Sequence, residues 1–224
     1  MSPTPITLER YLHHVKVEWP AADETAAGAR VRLADRLPRT ALRRMTHLGM
    51  LVGCVLEGVP LGSTDALIYA TSFAESRALE DYLASFPSPS PLLFQSSIHP
   101  GGVQQVLIPR QQPIARLWPM AGRRRLIEQA LLAALIEPAA TVALVGGEER
   151  GTWLLEHGMA SDTAFAFCTL LSTDPSGAIG RIEFARADGT AEACPDLQSF
   201  ALALRDRQPL AWASSGGTWR LTWS

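Results

Sequence analysis

Lysine is almost missing from this chain of 224 residues: Lys16 stands alone, and arginine supplies the rest of the 20 basic side chains. Against 22 acidic residues they leave a formal net charge of -2, which excludes a nucleic-acid binder that works by bulk electrostatics. Cysteine is scarce as well. Cys54, Cys168 and Cys194 are odd in number, widely spaced and set in different kinds of segment, so neither a disulfide framework nor a metal knuckle is expected. No apolar run approaches the roughly 20 residues that span a bilayer. The opening Met-Ser-Pro-Thr-Pro has neither the basic start nor the apolar core of a secretory leader, and a cytoplasmic location is expected. Nothing in the pattern calls for a cofactor or a metal ion.

What is present reads as one folded domain over residues 1–224. Hydrophobic residues make up 47% of the chain and charged residues 19%, which argues against disorder. Val15 to Trp19 alternates as a strand does, and Pro20 ends it. From Thr40 to Leu56 the positions Leu42, Met45, Leu48, Val52, Val55 and Leu56 recur at helical spacing, with Arg43 and Arg44 off that face. Asp65 to Thr71 is a short apolar run of the buried-strand kind. It passes into Ser72-Phe73-Ala74-Glu75, whose serine and glutamate read as the capping box of a helix reaching Phe86. Strand, tight turn and helix in that order make a parallel-sheet unit.

Further along, a short helix is expected over Val103 to Leu107 and a longer one over Gly122 to Leu135, with Leu126, Ile127, Ala130, Leu131, Ala134 and Leu135 on its buried side. Ala140 to Val145 reads as a strand ending in the turn Gly146-Gly147-Glu148-Glu149, where the two glutamates are expected at the turn or rim. Ala164 to Ser172 and Gly180 to Ala185 read as two more strands. A last helix over Asp196 to Arg205 and one or two strands near Trp212, Trp219 and Trp223 complete the chain.

Several segments, in order, resemble one family. Ser90-Pro91-Leu92-Leu93-Phe94-Gln95-Ser96-Ser97-Ile98-His99 is similar to the Ser-Pro-x-x-Phe-x-x-Ser-Val-His segment of β-ketoacyl synthase-like proteins. Thr141 to Glu149 resembles the strand and double-glycine turn that follow the nucleophile helix there, Ala164-Phe165-Ala166-Phe167 the next strand, and Arg43-Arg44-Met45 the arginine pair opening the first helix. Together they look like the N-terminal half of a ketosynthase, in the short version found in bacterial polyene and aryl-polyene pigment clusters. The resemblance covers residues 40–185, leaving 186–224 as a C-terminal extension. Where the family continues with asparagine after the histidine, this chain has Pro100-Gly101-Gly102. The resemblance implies an α/β thiolase-like half-domain, a mixed and mostly parallel sheet with helices on both faces.

It also implies a chemical requirement. A decarboxylating ketosynthase needs a cysteine thiolate on a sharp turn at a helix N-terminus, and two histidines from the second half of the fold. The matching turn here is assigned to Pro119, Met120, Ala121 and Gly122, which hold neither cysteine nor serine. All five histidines, His13, His14, His47, His99 and His157, lie before residue 185. No catalytic residue is therefore assigned.

Cys54 and Cys168 read as core residues and Cys194, before Pro195, as a surface thiol. Ser96 and His99 are too close in one loop to align as nucleophile and base, and a hydrogen-bonding histidine near an interface or pocket is expected instead. Arg123, Arg124 and Arg125, read as a helix N-terminus, oppose its dipole. With Arg110 and Arg116 they fill a stretch from Tyr82 to Ile127 that contains no acid. They are either a solvated face or, with Arg116, a docking surface for an acidic partner. The resemblance implies an acyl carrier protein there, and a homodimer or a heterodimer with a ketosynthase across the strand before the nucleophile helix. A non-catalytic subunit of a fatty-acid or polyketide-type pigment pathway is the first expectation. An acyltransferase or hydrolase using a remnant pocket is the second.

Overall fold

Six consecutive residues, Ala66 to Thr71, are all buried, and they form the strand from which the parallel part of the sheet spreads. The computed structural model describes residues 6–187, 193–214 and 216–224. The strands are β1 (Thr7–Glu18), β2 (Ala66–Thr71), β3 (Arg116–Ala121), β4 (Thr141–Glu148), β5 (Phe165–Ser172), β6 (Gly180–Arg186), β7 (Leu210–Ser214) and β8 (Gly217–Trp223). The helices are α1 (Ala26–Arg32), α2 (Arg39–Leu42), α3 (His47–Val55), α4 (Ser76–Ala84), α5 (Pro91–Ser96), α6 (Gly101–Leu107), α7 (Leu126–Ile136), α8 (Trp153–Glu156) and α9 (Leu197–Asp206). Among the described residues one sheet joins the strands in the order β3-β2-β4-β5-β1-β6-β8-β7.

The sheet is mixed, with helices on both faces, as expected. Parallel pairing is nevertheless the minority: β2 pairs in parallel with β3 and β4, and the other ladders are antiparallel. A parallel neighbour needs a long crossover, which the two residues between β7 and β8 do not allow, and β1 lies between β5 and β6, antiparallel to both. The extension beyond residue 186 supplies α9, β7 and β8 to this same sheet.

Period-two alternation divides the core. Ala66, Ile68 and Ala70 of β2 face one side with Val142, Leu144 and Phe167, and pack on α7 and α9. Leu67 and Tyr69 face the other side with Ala143, Val145 and Cys168, and pack on α3 and α6. Every residue of α3 is buried, which explains why its sequence is apolar nearly all round. Gly146 and Gly147 continue β4 instead of ending it, because neighbouring chain passes too close for a side chain: a Cβ would lie 2.6 Å from the Phe167 ring at the first and 2.5 Å from the Phe165 carbonyl at the second.

Three local expectations are corrected. The helix expected over residues 40–56 is two helices, α2 and α3, because Thr46 caps the second: its Oγ1 accepts from the Gly49 amide at 3.0 Å. The capping box does not form. The helix α4 starts at Ser76, and Glu75 turns inward instead, accepting from the Gly102 amide at 3.0 Å. The helix α7 starts at Leu126 and not at Gly122, since Arg125 adopts a left-handed backbone with φ 55°. In addition, α5 starts at Ser90-Pro91, a side-chain cap followed by proline in the first turn, where the apolar pattern predicts no helix.

Candidate functional site

Because β2, β3 and β4 run in parallel, Thr71, Ala121 and Glu148 end on the same side of the sheet. Ligands of open α/β sheets bind beyond such carboxyl ends. A cleft of about 720 Å³ opens there, lined by Ser72, Phe73, Arg123, Arg124, Glu148 and Phe165, and closed opposite by the loop before β5 and the start of α9.

The positions assigned to the degenerate elbow are mostly not in the turn. Pro119, Met120 and Ala121 belong to β3, an edge strand, where a proline costs no ladder bond on its free side. Only Gly122 lies in the turn, with φ 150°, and Arg123, Arg124 and Arg125 follow it. The turn itself therefore contains neither a thiol nor a hydroxyl.

The structure separates the four arginines. The Arg123 guanidinium lies 5.3 Å over the Phe73 ring and donates to the Gly158 carbonyl at 3.3 Å, tying two walls of the cleft. Arg124 lines the cleft beside it. Arg125 turns to Glu128 at 2.7 Å, and this glutamate in the first turn of α7 complements the helix dipole. Arg116 stands at the opposite end of β3, about 17 Å away at the usual strand rise, and pairs with Glu137 at 2.7 Å. Glu137 also accepts from Trp118 Nε1 at 2.8 Å, so one carboxylate at the end of α7 braces the outer strand.

Glu148, which lines the cleft, and Glu149, which follows it and faces the adjoining concavity, are both buried, which corrects the expectation that they are rim residues. Glu148 accepts from the Ser72 amide, and burial pushes its carboxyl up to about 7. Glu149 accepts from the Leu48 amide at 2.9 Å and is likewise pushed by burial to about 7. Nearby, the Tyr69 ring stacks on His99 at 5.1 Å between centroids. Burial, then the charges of Glu75, Glu148 and Glu149, hold the Tyr69 phenol well above its usual range. Sequence reasoning missed this cluster. Its members come from β2, β4 and two loops, and only Glu148 and Glu149 are adjacent in the chain.

Ser96 and His99 do not meet. Ser96 Oγ donates to the Leu92 carbonyl at 3.1 Å, whereas His99 Nδ1 lies 3.0 Å from a Glu75 carboxylate oxygen. Cys54 and Cys168 are buried, and burial raises their thiols to about 11 and about 12. Cys194 is half-buried against the core and not a surface residue. Burial raises its thiol, against the opposing pull of the Glu128 amide and Arg125. Among the described residues no group of three or more His, Cys, Asp or Glu is placed to hold a metal ion, and no helix is long and apolar enough to cross a membrane.

No protein-family model matches the chain, and no curated protein sequence matches it. Solved structures do. A chain of the ketosynthase (ApeO) in complex with its chain length factor (ApeC) from Xenorhabdus doucetiae aligns with TM-score 0.66 at 19% identity, over 96% of this chain and 99% of that one. The ishigamide ketosynthase/chain length factor aligns with TM-score 0.57 at 11% identity, over 78% of this chain and 65% of that one. The chain shares the thiolase-like fold of these ketosynthase and chain-length-factor proteins.

Proposed function

We propose that this chain is a ketosynthase-like subunit of a polyketide or fatty-acid-type pathway that makes a pigment, and that it acts by association and does not perform the condensation itself. The observation that carries the reading is the turn after β3. Neither Pro119 to Gly122, where the resemblance puts the thiolate, nor the three arginines that lead from there into α7 supply a thiol, and the cysteines elsewhere are buried or half-buried with raised thiols. The similar structure of a ketosynthase with its chain length factor, matched over 99% of one chain, supports a partner of ketosynthase type.

The pairing surface in this reading is the free edge of β3, which bonds only to β2 among the described residues. An unpaired strand edge is a template for another chain. Trp118, 46% exposed and fixed by Glu137, stands on it. Co-expression with the products of the neighbouring genes, followed by identification of what co-purifies, tests the reading. A stable complex is expected that Trp118→Lys disrupts while the free chain stays folded. Recovery of the chain alone, or a complex indifferent to Trp118→Lys, overturns the β3 pairing.

One observation favours a second reading, an acyltransferase or hydrolase. Ser72 lines the cleft with its amide on Glu148, a carboxyl raised into the range useful for a general base. Incubation with acyl-carrier thioesters followed by intact-mass analysis separates the two. An acyl adduct lost in Ser72→Ala supports the enzyme and rules out the non-catalytic subunit.

A further inference from the structure

A second concavity lies between α2 and the pair α5–α6, with a volume of about 640 Å³. Met45 forms part of its floor, and Leu92, Ile98 and Ile108 stand on its walls at 56%, 47% and 71% exposure. Large aliphatic groups this exposed on one concave surface are a binding feature more than an ordinary surface scatter. Arg44 is the one charged residue among those lining it.

Arg44 also lines an adjoining concavity of about 710 Å³, together with Arg43. Other cations there are engaged: Arg30 donates to the Met45 carbonyl at 3.2 Å, Arg150 to the Ala22 carbonyl at 3.2 Å, and Arg77 pairs with Asp81 at 2.9 Å. Of the four acids there, Glu24 is taken by Arg32 and His47, Asp81 by Arg77 and Glu149 by the Leu48 amide, which leaves Asp23 against the two arginines. Arg43 and Arg44 pair with no carboxylate among the described residues, so positive charge is in excess at one end of an aliphatic groove.

The groove is also held open by the fold. Gln105 on its wall accepts from the Thr46 amide at 2.8 Å, which fixes α6 against the junction of α2 and α3. A preformed pocket loses less on binding.

We infer that this groove binds an amphipathic anion, an unbranched aliphatic chain with a carboxylate head, its chain along Met45, Leu92, Ile98 and Ile108 and its head on Arg44. The aliphatic lining suits a saturated chain, and a guanidinium takes a carboxylate in a two-point bond. The site is remote from the free edge of β3 in its residues and does not depend on the proposed association.

Isothermal titration with dodecanoate below its micelle concentration, on the intact chain, tests the inference. Saturable one-to-one binding is expected, at least tenfold weaker for Arg44→Gln and lost in Ile108→Asp, both of which alter exposed side chains. Dodecanol is expected to bind at least tenfold more weakly than dodecanoate. Absence of saturable binding overturns the inference. So does equal affinity for Arg44→Gln, or a loss on Arg124→Gln as large as on Arg44→Gln, which would move the ligand to the cleft beyond β2, β3 and β4.

Discussion

Glu75 and His99 lie 3.0 Å apart, carboxylate oxygen to Nδ1, joining the turn after β2 to the loop before α6. The second oxygen of Glu75 accepts from the Gly102 amide at 3.0 Å, and the carboxylate is buried. Two segments 24 residues apart are thus held by one side chain.

Glu75→Ala is expected to destabilise the fold by about 3 kcal/mol, because it leaves a buried amide and a buried imidazole nitrogen without an acceptor. Urea unfolding with matched m-values measures it. A loss below 1 kcal/mol, by the usual worth of a single neutral bond, would mean that water takes over both roles.

Glu148 and Glu149 set the pH dependence. Both carboxyls sit at about 7 in the folded chain because burial disfavours the ion, against an ordinary value of 4.5. The folded state therefore binds more protons than the unfolded chain between those limits. Their contribution is fully present below the ordinary value and is lost as pH rises through about 7. Stability is expected to fall from pH 5 to pH 7.5 by about 2 kcal/mol per group. Glu149→Gln keeps the acceptor for Leu48 and is expected to flatten this slope and raise the melting temperature above pH 7. Melting curves across that range decide, and an unchanged slope would refute the assignment to Glu149.

Gly147→Ala is expected to cost about 2–4 kcal/mol, since the new Cβ would meet the Phe165 carbonyl and force β4 from β5. Gly58→Ala is strained for a different reason, its φ of 72°, with no atom within 4 Å. Its cost is expected at about 1 kcal/mol. Thermal or urea denaturation of the pair separates crowding from backbone strain.

If an acyl carrier protein docks on this cleft, as the resemblance implies, Arg124→Glu is expected to weaken its binding at least tenfold and to reduce the dependence on salt, leaving the melting temperature within a few degrees. Arg116→Glu, at the far end of β3 and paired with Glu137, is expected to have a smaller effect. Binding measured at two ionic strengths checks both, and equal losses would point to diffuse charge with no local contact.

Much of the architecture was legible. Apolar runs placed β2, β4, β5 and β6 to within a few residues, and the helical spacing of Leu126 to Leu135 located the buried face of α7. The start of α7 was not legible, because alanine-rich and arginine-rich sequence is helix-compatible and only the left-handed Arg125 breaks it. Arg123 and Arg124, which stand out in the sequence by their charge, line the cleft, whereas Arg116 and Arg125, close to them in sequence, are drawn elsewhere by Glu137 and Glu128.

The sequence by itself determined the fold class, through the order and period of its apolar segments, and the absence of a thiol before α7. Both are properties of consecutive residues. Only the tertiary structure decided that Ser72 and Glu75 form no capping box, that Glu148 and Glu149 lie inside, and that β5 to β8 pair antiparallel. Each depends on which distant amides and strands come within hydrogen-bond reach. A buried carboxylate takes the nearest unsatisfied donor, whatever its distance along the chain.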